Sequence, residues 1–381
     1  MSDIQGASVT TDSLTAIISK VDRAERINSD EALKLFESAP IHELGRMASA
    51  ARFRHNPEQD VTYIIDRNIN YTNVCNVYCK FCAFYRTEKH DDHYTLTFAE
   101  ISEKIEEAIT LGATRILLQG GHNVKLDINY YERMFRHIKT NHVIRNHALG
   151  PPEICHIAGV SDLSVGEVLD RLIDAGLDSM PGGGAEILTD ATRDRISPIK
   201  CSADEWMDVM RECHERKLPT TATMMLGVGE ALFERIEHIG RIRDLQDETG
   251  GFTSFIAWTF QPGNTALEKK IPETDSMDYL RTLAIARIYL DNVEHIQLSY
   301  VTQGPQIGQL SLNYGADDFG STMIEENVVS AAGTDYIMGE KEMRRLISEA
   351  GFTPRLRDDS YEAFPPKDTL RQVTELEPSA A

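Results

Sequence analysis

The spacing of apolar residues along the chain changes character near residue 60. Before it, residues 14–18, 30–36 and 44–54 place apolar side chains three and four apart, which is one face of a helix. Ser29-Asp30 with Glu31 offers a helix start. Residues 1–12 are polar and read as a disordered tail, so residues 1–55 form a tail and a helical lead-in.

From about residue 60, short β-type runs alternate with amphipathic runs. Strands are expected at 63–71, 115–119, 143–148, 179–180, 220–226, 253–260 and 296–301, with a weak last one near Leu310 or Phe319. Helices are expected at 98–111 (closed by Gly112), 130–139, 165–175, 203–216, 232–246 and 277–290. Parallel neighbours need helical crossovers, so this alternation implies a parallel sheet. Its length and repeat number favour an α/β fold of the (β/α)8, TIM-type barrel class over residues 56–335. The glycine-rich fingerprint that would favour an open sheet is not found after the first strand. Residues 336–381 read as a C-terminal helix and a charged, proline-containing tail from about residue 355, either a wrap or a disordered end. Polar, glycine-rich segments at 75–82, 119–122, 181–186, 227–230, 261–265 and 303–308 follow the strands. A barrel gathers such segments on one rim, where its active site lies.

Composition narrows the function. With 39 Lys and Arg against 60 Asp and Glu, the formal charge is −21, which argues against a nucleic-acid surface. The N-terminus lacks the apolar core of a signal peptide, and no run of about 18 apolar residues suggests a membrane span. The 6 cysteines are few for the length, so a disulfide framework is not expected and a reducing, cytoplasmic setting is.

Three of those cysteines fall together in Cys75-Asn76-Val77-Tyr78-Cys79-Lys80-Phe81-Cys82. Structural zinc wants four ligands, and His90 or His93 would have to supply the fourth. Three buried cysteines acting as small hydrophobes is a second reading. The third is a 4Fe–4S cluster held by three thiolates, one short of full ligation, which leaves one iron open. The loop follows the first barrel strand, and Phe81, Phe84 and Tyr85 would shield a cluster there. The spacing favours this reading.

The C-x3-C-x2-C loop, with an aromatic before its last cysteine, resembles that of the radical S-adenosylmethionine enzymes. Asn68 to Val74, Cys79 to Arg86, Gln119-Gly120-Gly121-His122, Pro181 to Leu188 and Trp258 to Thr265 resemble a narrower group. So do Thr221 to Met225 and Asp317 to Val328. That group serves menaquinone synthesis by the futalosine pathway and deazaflavin-cofactor synthesis. Asn70-Tyr71-Thr72-Asn73 and Phe84-Tyr85-Arg86 are similar to the cyclases acting on dehypoxanthine futalosine. The aminofutalosine synthases tend to carry a proline before that threonine. The group also leads one to expect a histidine after Gly227, where this chain has Val228.

The resemblance implies a 4Fe–4S cluster on Cys75, Cys79 and Cys82, with S-adenosylmethionine on the open iron. It also implies dehypoxanthine futalosine as small-molecule substrate, and a small electron-transfer protein as reductant. A 5′-deoxyadenosyl radical would take hydrogen from the ribose 4′ carbon, and the sugar radical would attack the benzoate ring. Phe81 would lie near the adenine, and the carbonyls of Gly120 and Gly121 would accept from the ammonium. Glu186 would also contact S-adenosylmethionine, with Arg193 or Arg195 on its carboxylate. His122, Glu230 and Glu326 are the candidates for the proton acceptor, and Arg86 or the backbone near Ser321-Thr322 for the benzoate. Each has a plain alternative as a packing aromatic, a turn, a solvated charge or a structural histidine. Two other functions stay open: aminofutalosine synthesis, and a metal-stabilised binding protein without turnover.

Overall fold

The computed structural model describes residues 11–334 and 336–361. Three helices, Thr11–Asp22, Ser29–Ser38 and Ile41–His55, precede the first strand. The first takes in Thr11 and Asp12, which the sequence reading gave to the tail; residues 1–10 lie outside the described residues. Asn28 accepts the Glu31 N–H while Glu31 returns a bond to the Asn28 N–H, a reciprocal cap that fixes the second helix start.

The strands are β1 (Asp60–Ile64), β2 (Asp66–Asn70), β3 (Arg115–Gln119), β4 (Arg145–Ala148), β5 (Thr220–Leu226), β6 (Phe252–Thr259), β7 (His295–Gln297), β8 (Asp318–Ser321) and β9 (Thr353–Leu356). β2-β3-β4 form one parallel run and β5-β6-β7-β8-β1-β9 another. Bridges from His147 to Ser179 and from Met180 to Thr220 join the runs on one side. On the other, the N–H groups of Thr322 and Ile324 donate to the carbonyls of Ile64 (3.0 Å) and Asp66 (3.1 Å). The ring therefore closes into a parallel TIM-type barrel. Residues 179–180 supply its fourth stave through single bridges rather than a ladder.

Four sequence expectations need correction. Residues 63–71 are not one strand: β1 pairs with β8 and β9, whereas β2 pairs with β3. The step at Ile65 exists because β9 occupies the flank of β1 that β3 would otherwise take. Of the two readings of the chain from residue 355, the disordered end is set aside as far as residue 361 in favour of the wrap: β9 lies parallel to β1, and residues 357–361 turn inward beneath the barrel. Residues 362–381 lie outside the described residues. The strand expected at 296–301 ends at Gln297, and Tyr300–Ser311 is helical. That helix includes Leu310, so the last barrel strand is the one at Phe319. The fourth correction is an added helix, Pro151–Ser161. Its Gly-Pro-Pro start looks like a loop, yet proline suits a first helical turn, whose N–H groups lack intrahelical partners.

Amphipathic helices cover the barrel. In Val165–Ala175, Val168, Leu169, Leu172 and Ala175 are buried, Ser164 caps the start, and Gly176 ends it at φ 117°, a conformation that suits glycine. The lead-in helices pack on Leu232–Thr249 and Ser276–Tyr289, tied by Arg281 to the Phe36 and Ala39 carbonyls. No helix among the described residues is long and apolar enough to cross a membrane.

Candidate active site

The cysteine loop leaves the top of β2 and is pinned from several sides. Cys75 N–H donates to Arg86 O (2.9 Å), Arg86 N–H to Asn73 O (2.7 Å) and Lys80 N–H to Ile196 O (2.8 Å). The Arg86 guanidinium donates to the carbonyls of Ala83, Phe84 and Tyr85 and pairs with Asp92. Arg86 thus braces the loop, and it is not among the residues that line the cavity described below.

Cys75, Cys79 and Cys82 are free thiols, close enough to perturb one another's ionisation. Burial is the main cause that pushes the Cys79 thiol up to about 12. Such thiols become thiolates when a metal centre takes them. Among the described residues, no three His, Cys, Asp or Glu side chains gather around one ion-sized point. His90 and His93 sit in an exposed turn, their Nδ1 atoms bonded to Thr87 and to the His90 carbonyl. Zinc completed by either histidine has no support in this geometry.

The loop after β3 presses against the cysteine loop. Gly121 N–H donates to Thr72 O (2.9 Å) and Asn76 N–H to His122 O (3.3 Å). A Cβ on Gly121 would meet Val74 O at 2.3 Å and Cys75 Cβ at 2.9 Å; one on Gly120 would meet the Tyr71 ring at 2.6 Å. Close approach, not turn geometry, therefore explains the glycine pair. Glu153, from the helix absent in the sequence reading, supports it from below. Its Oε1 accepts from Tyr71 Oη (2.7 Å) and Gly120 N–H (3.0 Å).

Below this rim lies a cavity of about 260 Å³ that runs down the barrel interior. Gln119, Gly183, Gly184, Glu186, Trp258, Met323 and Glu326 are among the residues lining it, and Arg115, His147, Arg357, Asp359 and Tyr361 line it too. Glu186 links it to the cysteine loop. Its Oε1 accepts from Lys200 Nζ at 2.8 Å, and Lys200 Nζ stands 5.4 Å from the Phe81 ring centre and beside Cys79. Glu186 Oε2 is buried without a hydrogen-bond partner, and its backbone is held at φ 42°. A left-handed non-glycine residue and an orphaned carboxylate oxygen are both costly. Together they mark Glu186 as shaped for a bound donor.

The structure separates the remaining candidates. Arg193 is buried, with its nitrogens on the carbonyls of Gly184, Ala185 and Cys201; it stands 3.8 Å from Glu186 and is tied to backbone. Arg195 is exposed and donates to Gly229 O and Thr192 Oγ1. Neither arginine lines the cavity. Glu230 also lies off it: its carboxylate accepts from the Gly227 and Val228 N–H groups, each at 2.8 Å, and pairs with Arg235 at 2.7 Å. Val228, where the group leads one to expect histidine, is buried beside it. His122 lies off the cavity as well, its ring 4.9 Å from that of His156, and burial drives its pKa well below the usual value. Glu326 does line the cavity, but its oxygens accept from the N–H groups of Val328, Val329 and Ser330.

Four residues of this site escaped the sequence reading. Glu153 and Lys200 sit in segments that look like a loop and a turn. Arg115 and His147 lie inside strands, where period-two alternation marks a face as inward but not as chemical. Arg115 pairs with Asp66 through Nε at 3.1 Å and through Nη2.

Comparison with known proteins follows this geometry. Residues 69–242 match the radical SAM superfamily and residues 249–370 the CofH/MqnC C-terminal region. The chain is 47% identical to a cyclic dehypoxanthine futalosine synthase of Halalkalibacterium halodurans, over 92% of this chain and 95% of the relative. It is 38% identical to an aminodeoxyfutalosine synthase of Thermus thermophilus, over 91% and 95%. The fold is similar to that of the FeFe-hydrogenase maturase HydG from Carboxydothermus hydrogenoformans. The TM-score is 0.73 at 16% identity, covering 92% of this chain and 81% of that one.

Proposed function

The chain belongs to the radical S-adenosylmethionine superfamily, and on that premise we propose that it cyclises dehypoxanthine futalosine in menaquinone synthesis. Membership also makes it an enzyme acting on a small molecule, which sets aside a binding protein without turnover. The observation that carries the reading is the joint between two halves of the site. The Lys200–Glu186 pair runs from the three-cysteine loop to the mouth of a deep interior cavity. The greater identity to the cyclase relative supports cyclisation over aminofutalosine synthesis.

The enzymes of this superfamily use a 4Fe–4S cluster and S-adenosylmethionine, which when bound supply the 5′-deoxyadenosyl radical that takes the ribose 4′ hydrogen. Cys75, Cys79 and Cys82 would hold the cluster, with Lys200 and Glu186 acting on Cys79 beside them. Glu186 Oε2 would accept from the ammonium of S-adenosylmethionine, a group that would satisfy the orphaned oxygen. Gly121 lets the β3 loop close against Cys75. Phe81 flanks the adenine. Lower down, Arg115 Nη1 makes no hydrogen bond among the described residues and lines the cavity. It takes the benzoate carboxylate in place of Arg86, as a guanidinium suits. The barrel wall keeps water from the sugar radical while it attacks the ring. A small electron-transfer protein of the cytoplasm supplies the electron.

The test is anaerobic, reduced enzyme with S-adenosylmethionine and dehypoxanthine futalosine. The spirocyclic product is expected. Consumption of enolpyruvyl-benzoate with no spirocycle would assign aminofutalosine synthesis instead. Cys79→Ala should abolish both iron loading and turnover.

A further inference from the structure

We propose that His147 is the group that takes the proton lost when the substrate ring regains aromaticity, with Ser179 and Asp359 as its positioning residues. This rests on the cyclisation reading above. Restoring the ring breaks one C–H bond at the carbon that has just bonded to the sugar. The proton goes to the imidazole, and the electron goes to a one-electron acceptor of the iron–sulfur class. The step needs a basic atom that faces the cavity and is not already bonded.

The charged groups along the wall fail that requirement. Asp66 is bonded to Arg115 and to Ser321 Oγ. Glu186 Oε1 holds Lys200, and its Oε2 is the atom that the reading above gives to the ammonium of S-adenosylmethionine. Glu326 is filled by backbone N–H groups. Asp359 pairs with Arg145 at 2.6 Å. His147 differs: it lines the cavity from the middle of β4, and its Nε2 makes no hydrogen bond among the described residues.

The other side of the ring fixes which nitrogen is basic. His147 Nδ1 lies 2.7 Å from Ser179 Oγ. Ser179 Oγ in turn donates to Asp359 Oδ2 at 3.0 Å. A hydroxyl has one hydrogen. With it spent on Asp359, Ser179 Oγ can only accept, so the histidine proton sits on Nδ1 and Nε2 keeps its lone pair. Burial, aided by Arg115 and Arg357, keeps the resting ring uncharged. When the proton arrives it stays on the ring, and the Asp359 carboxylate stabilises the imidazolium through Ser179. Asp359 comes from the segment that turns under the barrel after β9, so the C-terminal strand completes the relay. Neither Ser179 nor Asp359 stood out in the sequence, because they are 180 residues apart.

The test uses iron-loaded, reduced enzyme with S-adenosylmethionine and dehypoxanthine futalosine deuterated at the ribose 4′ carbon. Wild type should place deuterium in 5′-deoxyadenosine and form one spirocycle for each. His147→Gln should still form deuterated 5′-deoxyadenosine within about threefold of wild type, while spirocycle falls about 100-fold or more, the usual scale for losing a general base. Ser179→Ala should lower spirocycle about tenfold with KM unchanged, and Ser179→Thr, which keeps the hydroxyl, should restore it. If His147→Gln does not accumulate as folded protein, the Ser179 pair decides. Spirocycle within threefold of wild type in His147→Gln, or equal loss in Ser179→Ala and Ser179→Thr, overturns the relay. Absence of any spirocycle from wild type overturns the cyclisation reading and the relay with it.

Discussion

Replacing Glu153 by glutamine should flatten the way stability depends on pH. The Glu153 carboxyl is fully enclosed under the glycine pair, and burial, outweighing its bonds to Tyr71 and Gly120, raises its pKa to about 7 from 4.5. Between those values the native state holds a proton that the unfolded chain has released. Stability from this group is therefore complete below 4.5 and lost as pH rises through about 7. At 1.36 kcal/mol per pH unit the interval corresponds to about 3 kcal/mol. Glutamine keeps an acceptor for Tyr71 and Gly120 and cannot ionise. Melting midpoints of iron-loaded wild type and Glu153→Gln, taken from about pH 5 to pH 8, give the difference attributable to this carboxyl. The variant should gain on wild type as pH rises to about 7 and level off beyond it. Two curves that run parallel across that range would refute the argument.

Three further outcomes follow from contacts described above. Gly121→Ala drives a Cβ into Val74 O and Cys75 Cβ; it should cost about 1–3 kcal/mol as overpacking and lower iron and sulfide per chain, measured by elemental analysis. Lys200→Met leaves the buried Glu186 charge without its close partner. Loss of about 3–5 kcal/mol in denaturant unfolding is expected, with a raised KM for S-adenosylmethionine. Glu230→Gln turns an amide toward the Gly227 and Val228 N–H groups, and should lower stability by about 1–3 kcal/mol. The ratio of spirocycle to 5′-deoxyadenosine should not change, which separates a loop brace from a proton acceptor.

The barrel and its reactive rim were legible because their signals are local. Strand–helix alternation is written in periods of 2 and 3.6 residues, and the three cysteines are neighbours in the chain. The position of Glu186 on the cavity wall was legible too, since it follows a glycine-rich turn at a strand end. The charged candidates misled for a physical reason. Charge and rim position do not tell whether a side chain is already committed: Arg193 and Glu230 are taken up by backbone carbonyls, backbone N–H groups or a close ion pair, Arg86 braces its own loop, and Arg195 is exposed away from the cavity. His122 failed for a related reason, its ring being buried beside His156 off the cavity.

By itself, then, the sequence determined the fold class, the three-cysteine loop and the family of chemistry, each carried by a few adjacent residues or a short period. Tertiary structure alone decided where the first strand breaks, that β9 and residues 357–361 seal the barrel from below, and that Glu153, Lys200, Arg115 and His147 face the site. Those outcomes depend on which distant segments share a wall and on which polar atoms remain unpaired once the wall is built. Neither quantity has a periodicity, so neither can be read along the chain.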